Sequence, residues 1–163
     1  MRIAVISDTH MPRGARRLPD ACVERLRASD VILHAGDFSA AAVLDELAAL
    51  GPPLVAVHGN VDAEEVRRRV PERRVWEADG VRIGMVHDAG AATGRLRRMR
   101  AAFPDCAAVV FGHSHIPLHE RDDDGFQIFN PGSPTDRRRA PRHTMGVAEA
   151  RGGAVRFELV TLD

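Results

Sequence analysis

The chain of 163 residues carries 23 basic and 23 acidic residues, so its formal net charge at pH 7 is zero. This balance argues against a general nucleic-acid or membrane-surface binder, because such proteins usually carry a basic excess. The length and the 44% hydrophobic content are typical of one globular domain, which we expect to cover residues 1–163.

The cysteines and the apolar runs bear on the compartment. Cys22 and Cys106 show no metal-binding or redox spacing, and we expect both to be buried thiols in a reducing compartment. The N-terminal apolar run is too short for a signal peptide, and no run approaches the ~18 residues of a membrane span. These features predict a cytoplasmic protein with no membrane partner.

Strands and helices alternate in the first part of the chain. Three apolar runs predict buried strands, at residues 2–6, 31–34 and 54–58. A helical pattern follows each strand, and a residue that commonly caps helices begins each one. The predicted helices cover residues 20–28, 39–50 and 62–70, with Asp20, Ser39 and Asp62 as their caps.

Hairpins dominate the second part. Asp79-Gly80 is a strong two-residue turn signal between the predicted strands 73–78 and 81–87. A basic helix at 93–103 and a buried strand at 107–111 follow, and then hairpins around residues 123–125 and 152–153. Alternation followed by hairpins predicts a mixed α/β fold with more than one sheet.

Polar residues stand at the ends of five predicted strands, where open α/β sheets bind their ligands. Asp8 and His10 are two residues apart, and we expect their side chains to point the same way because the segment continues an extended strand. The candidate metal ligands at the five strand ends are Asp8, His10, Asp37, Asn60, His87, His113 and His115.

These oxygen and imidazole donors are better suited to Mn, Fe, Ni or Zn ions than to soft metal ions. Seven ligands are too many for one ion that keeps an open coordination position. They suffice for two ions if one carboxylate bridges the two. Two carboxylates against two divalent ions leave an electropositive centre for hydroxide and phosphate. Glycines precede Asp37, Asn60 and His113, and we expect them to allow sharp turns and to leave room for a substrate.

The ordered motifs of this chain resemble those of the calcineurin-like metallophosphoesterases. They are Asp8-x-His10, Gly36-Asp37, Gly59-Asn60, His87 and Gly112-His113-x-His115. The nearest branch is the small YfcE-type phosphodiesterases, which also carry the Asn-Pro-Gly-Ser run found here at 130–133. The resemblance covers nearly the whole chain and implies a four-layer αββα sandwich, in which helices flank two mixed β-sheets.

The same resemblance implies a role for each motif. One ion would be held by Asp8, His10, Asp37 and His115, and the other by Asp37, Asn60, His87 and His113. Asp37, Asn60 and His113 would also serve in catalysis. The implied activity is phosphodiester hydrolysis, in which a metal-bridging hydroxide attacks a small phosphoester. The cofactors would be two divalent ions, Mn²⁺ first, with Ni²⁺, Fe²⁺ or Zn²⁺ as alternatives.

One departure from the wider superfamily concerns the leaving group. Larger members follow the Asn with a His that helps to protonate it, whereas Val61 stands here. Substrates with good leaving groups should therefore be favoured. Asp62 could act as the acid, as a support for the ligands or as a helix cap. Arg13 could clamp a phosphate as a substrate-binding residue, or it could lie in solvent.

Two further groups have more than one interpretation. His34 and His58 lie near ligand-bearing strand ends and could support the ligands or simply pack. The three arginines 137–139 could steer an anionic substrate or form a charged, exposed loop.

Two other functions compete with the hydrolase. A eukaryotic relative, the retromer subunit Vps29, uses this fold as a protein-binding scaffold with an impaired metal site. The seven intact ligand positions of this chain favour the enzyme instead. A nuclease is the second alternative, and the neutral charge argues against it. A homo-oligomer is left open.

Overall fold

The computed structural model describes residues 1–163 as ten β-strands and four α-helices. In chain order they are β1 (Arg2–Ile6), α1 (Asp20–Arg27), β2 (Val31–His34), α2 (Ala41–Ala48), β3 (Leu54–Ala56), α3 (Glu64–Arg69), β4 (Arg73–Ala78), β5 (Val81–Val86), α4 (Arg95–Ala102), β6 (Ala108–Val110), β7 (Leu118–Arg121), β8 (Gln127–Asn130), β9 (Thr144–Arg151) and β10 (Ala154–Thr161). Every strand and helix predicted above is present, and the helices are shorter than predicted.

The strands form two five-stranded sheets. The first has the order β10-β9-β1-β2-β3 and the second the order β4-β5-β6-β8-β7. Strands β1, β2 and β3 are parallel, as are β5, β6 and β8. Strands β9, β10, β4 and β7 pair antiparallel with their neighbours. Both sheets are therefore mixed, as predicted.

The side chains of β1 show how the layers pack. Ile3 and Val5 face the second sheet, in a core that also contains Ile83 and Met85 of β5. Ala4 and Ile6 point the other way, into a second cluster with residues of α1 and α2. Helix α4 covers the outer face of the second sheet in a third cluster. Because β1 is buried on both faces, its sequence is a continuous apolar run. The four-layer αββα sandwich is confirmed.

Two of the three predicted hairpin turns are two-residue turns with left-handed backbone. Asp79 and Gly80 have φ of 56° and 73°, and Gly152 and Gly153 have φ of 57° and 83°. Positive φ at both central residues gives a turn whose twist matches that of the flanking strands. The local signal was therefore sufficient to place both turns.

The predicted helix caps are wrong. The residues at the cap positions of α1, α2 and α3 are Pro19, Ala40 and Ala63, and none makes a side-chain capping bond. Asp20 is the first residue within α1. Ser39 has φ of 87°, far from the extended backbone that a capping residue adopts. The Asp62 carboxylate accepts the backbone N–H groups of Asp37, Ser39 and Gly59.

Two sequence expectations concern the cellular setting. Cys22 and Cys106 are buried and unpaired, as predicted. No helix is both long enough and apolar enough to span a bilayer. The single domain over 1–163, the cytoplasmic location and the homo-oligomer stay predictions.

Candidate metal centre

The predicted ligands lie on one rim of the sandwich, where the carboxyl ends of parallel strands from both sheets meet. Within the first sheet, the Asp8 N–H donates to the Gly36 carbonyl at 2.9 Å. Within the second, the Gly112 N–H donates to the His87 carbonyl at 2.9 Å. Across the sheets, the His113 N–H donates to Asp8 Oδ2 at 3.1 Å. These three hydrogen bonds connect the ligand-bearing loops of the two sheets.

Many of the predicted ligands have left-handed backbone. Asp8, His10, Asp37, His113 and His115 have φ of 57°, 44°, 60°, 70° and 60°. Asp and His tolerate this region better than most residues, but it still costs about 1–3 kcal/mol at each position. The expected extended geometry of Asp8 and His10 is wrong, because β1 ends before them. Their side chains converge through left-handed residues instead.

The glycines of the motifs make room for protein atoms. Gly36 has φ of 96° and allows the sharp turn that was expected. A Cβ at Gly59 would overlap Asp37 Oδ1, and a Cβ at Gly112 would overlap Ser7 Oγ and, less closely, Asp8 Oδ2. At Gly36 a Cβ would lie 2.8 Å from the Gly59 nitrogen and 2.9 Å from His87 Nδ1. The expectation that these glycines leave space for a substrate is therefore wrong, because protein atoms occupy the space at all three of them.

One half of the cluster contains Asp8, His10 and His115, which are all buried. His10 Nε2 and His115 Nε2 are 3.1 Å apart. Asp8 Oδ1 lies 3.8 Å from the first nitrogen and 3.3 Å from the second. These three ligand atoms lie within 4.8 Å of one another and could hold a metal ion.

The other half is built around His87. Its Nε2 lies 3.1 Å from Asp37 Oδ2 and 3.1 Å from Asn60 Oδ1. His113 Nδ1 lies 3.1 Å from the same Asn60 oxygen. Asp8, Asp37 and His87 form a second group that could hold a metal ion. The structure therefore brings together all seven side chains that the sequence singled out.

The hydrogen bonds around the cluster test whether a cation fits. His87 Nδ1 lies 2.8 Å from the Ala35 carbonyl, and His115 Nδ1 bonds to the Asp136 carbonyl. Because a carbonyl only accepts, each Nδ1 donates, and Nε2 of the neutral ring presents a lone pair to the cluster. Asp8 Oδ1 is buried without any hydrogen-bond partner. While the imidazoles are neutral, these lone pairs converge without a donor, which is the arrangement that a divalent cation satisfies.

The pKa shifts follow from the same geometry. Burial lowers the pKa of His87. The hydrogen bond that a protonated Nε2 donates to Asp37 and the charges of Asp8 and Asp37 outweigh burial, so the net pKa is raised. Burial raises the pKa of Asp37, but its hydrogen bond to His87 and the His87 charge hold the pKa below its usual value. Burial is the largest influence on His115 and lowers its pKa.

The turn after β8 holds the Asp8 loop in place, which the sequence analysis did not foresee. Ser133 Oγ donates to the Asp8 carbonyl at 2.8 Å, and Thr135 Oγ1 donates to the Thr9 carbonyl at 2.7 Å. Asn130 Nδ2 donates to the Gly112 carbonyl at 2.9 Å. The available signal was the Asn-Pro-Gly-Ser run, in which Ser133 bonds to a loop 125 residues away and Asn130 to one 18 residues away.

His34 both packs and supports the site. Its Nδ1 accepts the Gly36 N–H at 3.1 Å, its Nε2 lies 3.1 Å from Thr9 Oγ1, and its ring stacks on Phe38. Burial holds its pKa well below the usual value, which keeps the ring neutral. His58 is half-buried, and its Nδ1 lies 3.3 Å from the carbonyl of its neighbour Gly59.

The candidate substrate contacts fare differently. Arg13 is exposed and its guanidinium makes no hydrogen bond or ion pair, so its role as a phosphate clamp stays a prediction. Arg138 Nη1 lies 3.5 Å from the His113 carbonyl, whereas Arg137 bonds to the Ala140 carbonyl. Asp62 is buried, and its carboxylate is occupied by backbone N–H groups.

Comparison with known proteins gives a family. Residues 1–153 match the calcineurin-like phosphoesterase superfamily domain. A probable metallophosphoesterase of Methanothermobacter thermautotrophicus is 35% identical over 137 residues, which cover 83% of this chain and 78% of that protein. The chain therefore belongs to the calcineurin-like phosphoesterase superfamily, as its motifs predicted.

Solved structures share the fold at lower identity. Vps29 of Entamoeba histolytica, complexed with zinc, has a TM-score of 0.78 at 21% identity and covers 100% of both chains. An archaeal phosphodiesterase has a TM-score of 0.72 at 20% identity, covering 98% of this chain and 100% of its own. At such identities the likeness shows the fold alone, and this fold is shared by a phosphodiesterase and by Vps29.

The raised pKa of His87 predicts how metal affinity depends on pH. A proton on Nε2 competes with a cation, so each pH unit below that pKa should weaken the apparent affinity about tenfold. In the metal-free protein the same shift stabilises the fold below the unfolded pKa, and this stability is lost as pH rises through the folded pKa. Isothermal titration with Zn²⁺ across pH measures the affinity.

An NMR titration of the metal-free protein provides the control. The pKa of His87 should lie above 6.5 and that of His115 below 6.5. A value below 6.5 for His87 would show that the charges of Asp8 and Asp37 do not overcome burial.

Proposed function

We propose that the protein is a dinuclear, metal-dependent phosphodiesterase. The observation that carries the proposal is the convergence of buried carboxylate oxygens and bare imidazole nitrogens around Asp8 Oδ1, which has no hydrogen-bond partner. When bound, two divalent ions would supply the Lewis acidity that polarises a phosphoryl group and activates water. Mn²⁺ is our first choice, because the donors are oxygens and imidazoles.

The two halves of the cluster divide the proposed ligands. Asp8, His10 and His115 would hold one ion, and Asn60, His87 and His113 would hold the other, with Asp37 as the bridge. Asp37 Oδ2 lies 3.7 Å from His10 Nε2 and 3.1 Å from His87 Nε2, so it faces both halves. Asp8 is the competing bridge, because it belongs to both groups of convergent ligand atoms.

Exposure indicates the side from which a substrate would approach. Asp8 and His115 are fully buried, whereas Asn60 and His113 are exposed. A phosphoester would therefore meet the centre over Asn60 and His113, which we propose as the protein groups that touch its phosphoryl oxygens. The preference for a diester is supported by the motif resemblance.

A Vps29-like scaffold is the alternative from another class. The likeness to Vps29 shows the fold alone. Burying a carboxylate oxygen without a donor costs several kcal/mol, and left-handed backbone adds to the cost at several ligand positions. A protein-binding surface gains nothing from these features, so they favour hydrolysis. The balanced charge of the chain does not favour a nuclease.

The first prediction of this proposal is metal dependence. Protein stripped by a chelator should not hydrolyse bis-p-nitrophenyl phosphate, because its residues alone cannot supply the charge that polarises the phosphoryl group. Addition of Mn²⁺ or Ni²⁺ should restore turnover, which is measured as release of p-nitrophenolate. Full activity in protein shown to be free of metal would overturn the proposal. Hydrolysis of the monoester alone would leave a metallohydrolase but exclude the diesterase.

The second prediction concerns Asp37. Asp37→Asn removes the shared charge, so the bound metal should fall below two ions per chain and the affinity should drop by about 10–100-fold or more. Asp88→Asn is the matched control, since this exposed carboxylate follows His87 and accepts only the Gly90 N–H, at 2.7 Å. If Asp37→Asn still binds two ions as tightly as the parent, Asp37 is not the bridge.

The third prediction concerns the leaving group. Val61 is 48% exposed and offers no proton, and general-acid catalysis typically contributes ~10²–10⁴-fold. We therefore expect log kcat to fall steeply with leaving-group pKa across aryl phosphodiesters. Val61→His should flatten the slope if the new imidazole reaches the leaving oxygen. A flat slope in the parent would mean that another group already supplies the proton.

A further inference from the structure

Asp62 joins the two loops that carry Asp37 and Asn60. Asp62 is buried, with only 5% of its surface exposed. Oδ2 accepts the N–H of Asp37 at 3.0 Å and the N–H of Gly59 at 2.7 Å. Oδ1 accepts the N–H of Ser39 at 2.8 Å. One carboxylate therefore holds the loop after β2 and the loop after β3 together.

The bonding between the two loops is reciprocal. Asp37 Oδ1 accepts the Val61 N–H at 3.0 Å, so each loop offers a carboxylate to the amides of the other. With Oδ1 held in this way, Asp37 Oδ2 is the oxygen that faces His87 Nε2. A shift of either loop would move this oxygen and the Asn60 amide relative to His87.

We infer that Asp62 is a positioning residue that sets the separation of Asp37 and Asn60, and thereby shapes the half of the metal centre that they share with His87. The inference rests on the proposed function, because it concerns the same centre. Asp62 touches neither the ions nor the substrate in this role, since both of its oxygens are bonded to backbone amides. A general acid would instead need a carboxyl oxygen free to face the leaving group.

The test compares two Asp→Asn variants. In Asp62→Asn a single amide oxygen remains, so at best the bonds to Asp37 and Gly59 survive and an NH₂ group faces the Ser39 N–H. Asp122→Asn is the matched control. Asp122 Oδ1 accepts the N–H groups of Asp124 and Phe126 at 3.0 and 2.9 Å, and its Oδ2 accepts from Arg100 Nη1 at 3.0 Å. It lies in the hairpin that enters β8 at the end opposite the rim.

Isothermal titration of metal-free protein with Mn²⁺ gives the decisive readout. The parent and Asp122→Asn should bind two ions with the same affinities, whereas Asp62→Asn should lose about 10–100-fold at one of them. Excess Mn²⁺ should restore most of the kcat of Asp62→Asn, and its pH–rate profile should keep the shape of the parent's. Asp62→Glu, which retains charge and acceptors one methylene further out, should show a smaller loss and covers the case in which Asp62→Asn does not fold.

Three outcomes would overturn the inference. The first is unchanged Mn²⁺ affinity in both Asp62→Asn and Asp62→Glu. The second is an equal loss of Mn²⁺ affinity in Asp62→Asn and Asp122→Asn. The third is a pH–rate profile of Asp62→Asn that lacks the alkaline limb while metal binding is intact. The third would make Asp62 the acid. Failure of the parent itself to bind two ions would instead contradict the proposed function, so the two failures are distinguishable.

Discussion

The buried negative charge of Asp8 and Asp37 is the constraint on which the rest of the rim depends. The two residues are 0% and 2% exposed, and an ionised carboxylate buried without partners is strongly destabilising. Each is anchored through one oxygen, Asp8 by the His113 N–H and Asp37 by the Val61 N–H. The other oxygen of each faces imidazole nitrogens, which is favourable when a cation lies among them.

Holding these charges together requires backbone that an isolated loop would not adopt. The left-handed ligand residues each cost about 1–3 kcal/mol, so the sandwich behind them must over-determine their conformation. It does so in two ways. Sixteen buried residues fill the space between the sheets and fix the strand ends, and the side chains of Ser133 and Asp62 then bind the loops that follow. A rigid scaffold with a strained rim is the arrangement expected where geometry has to be held for a ligand.

The sequence predicted the features that depend on neighbours along the chain. Runs of β-branched residues marked the strands, and Asp79-Gly80 marked a turn, because these preferences are local. Polar residues at the ends of parallel strands were bound to meet at one edge. What could not be predicted arises between segments far apart. Ser39 and Asp62 resemble helix caps, yet they bond across loops, and nothing local shows that Gly59 makes room for Asp37.

The cluster is buried on one side and exposed on the other, and this bears on how a leaving group would be protonated there. Asn60 and His113 form the open side, and Val61 stands beside them 48% exposed. A substrate held from this side would place its leaving oxygen near Val61 and solvent. Asp62 lies one residue further on, but its oxygens serve the backbone amides that hold Asp37 and Asn60. The same bonds that hold the two loops together leave Asp62 without a free oxygen for proton transfer. Under the proposed function, the departing group would therefore have to be stable as an anion or take its proton from water.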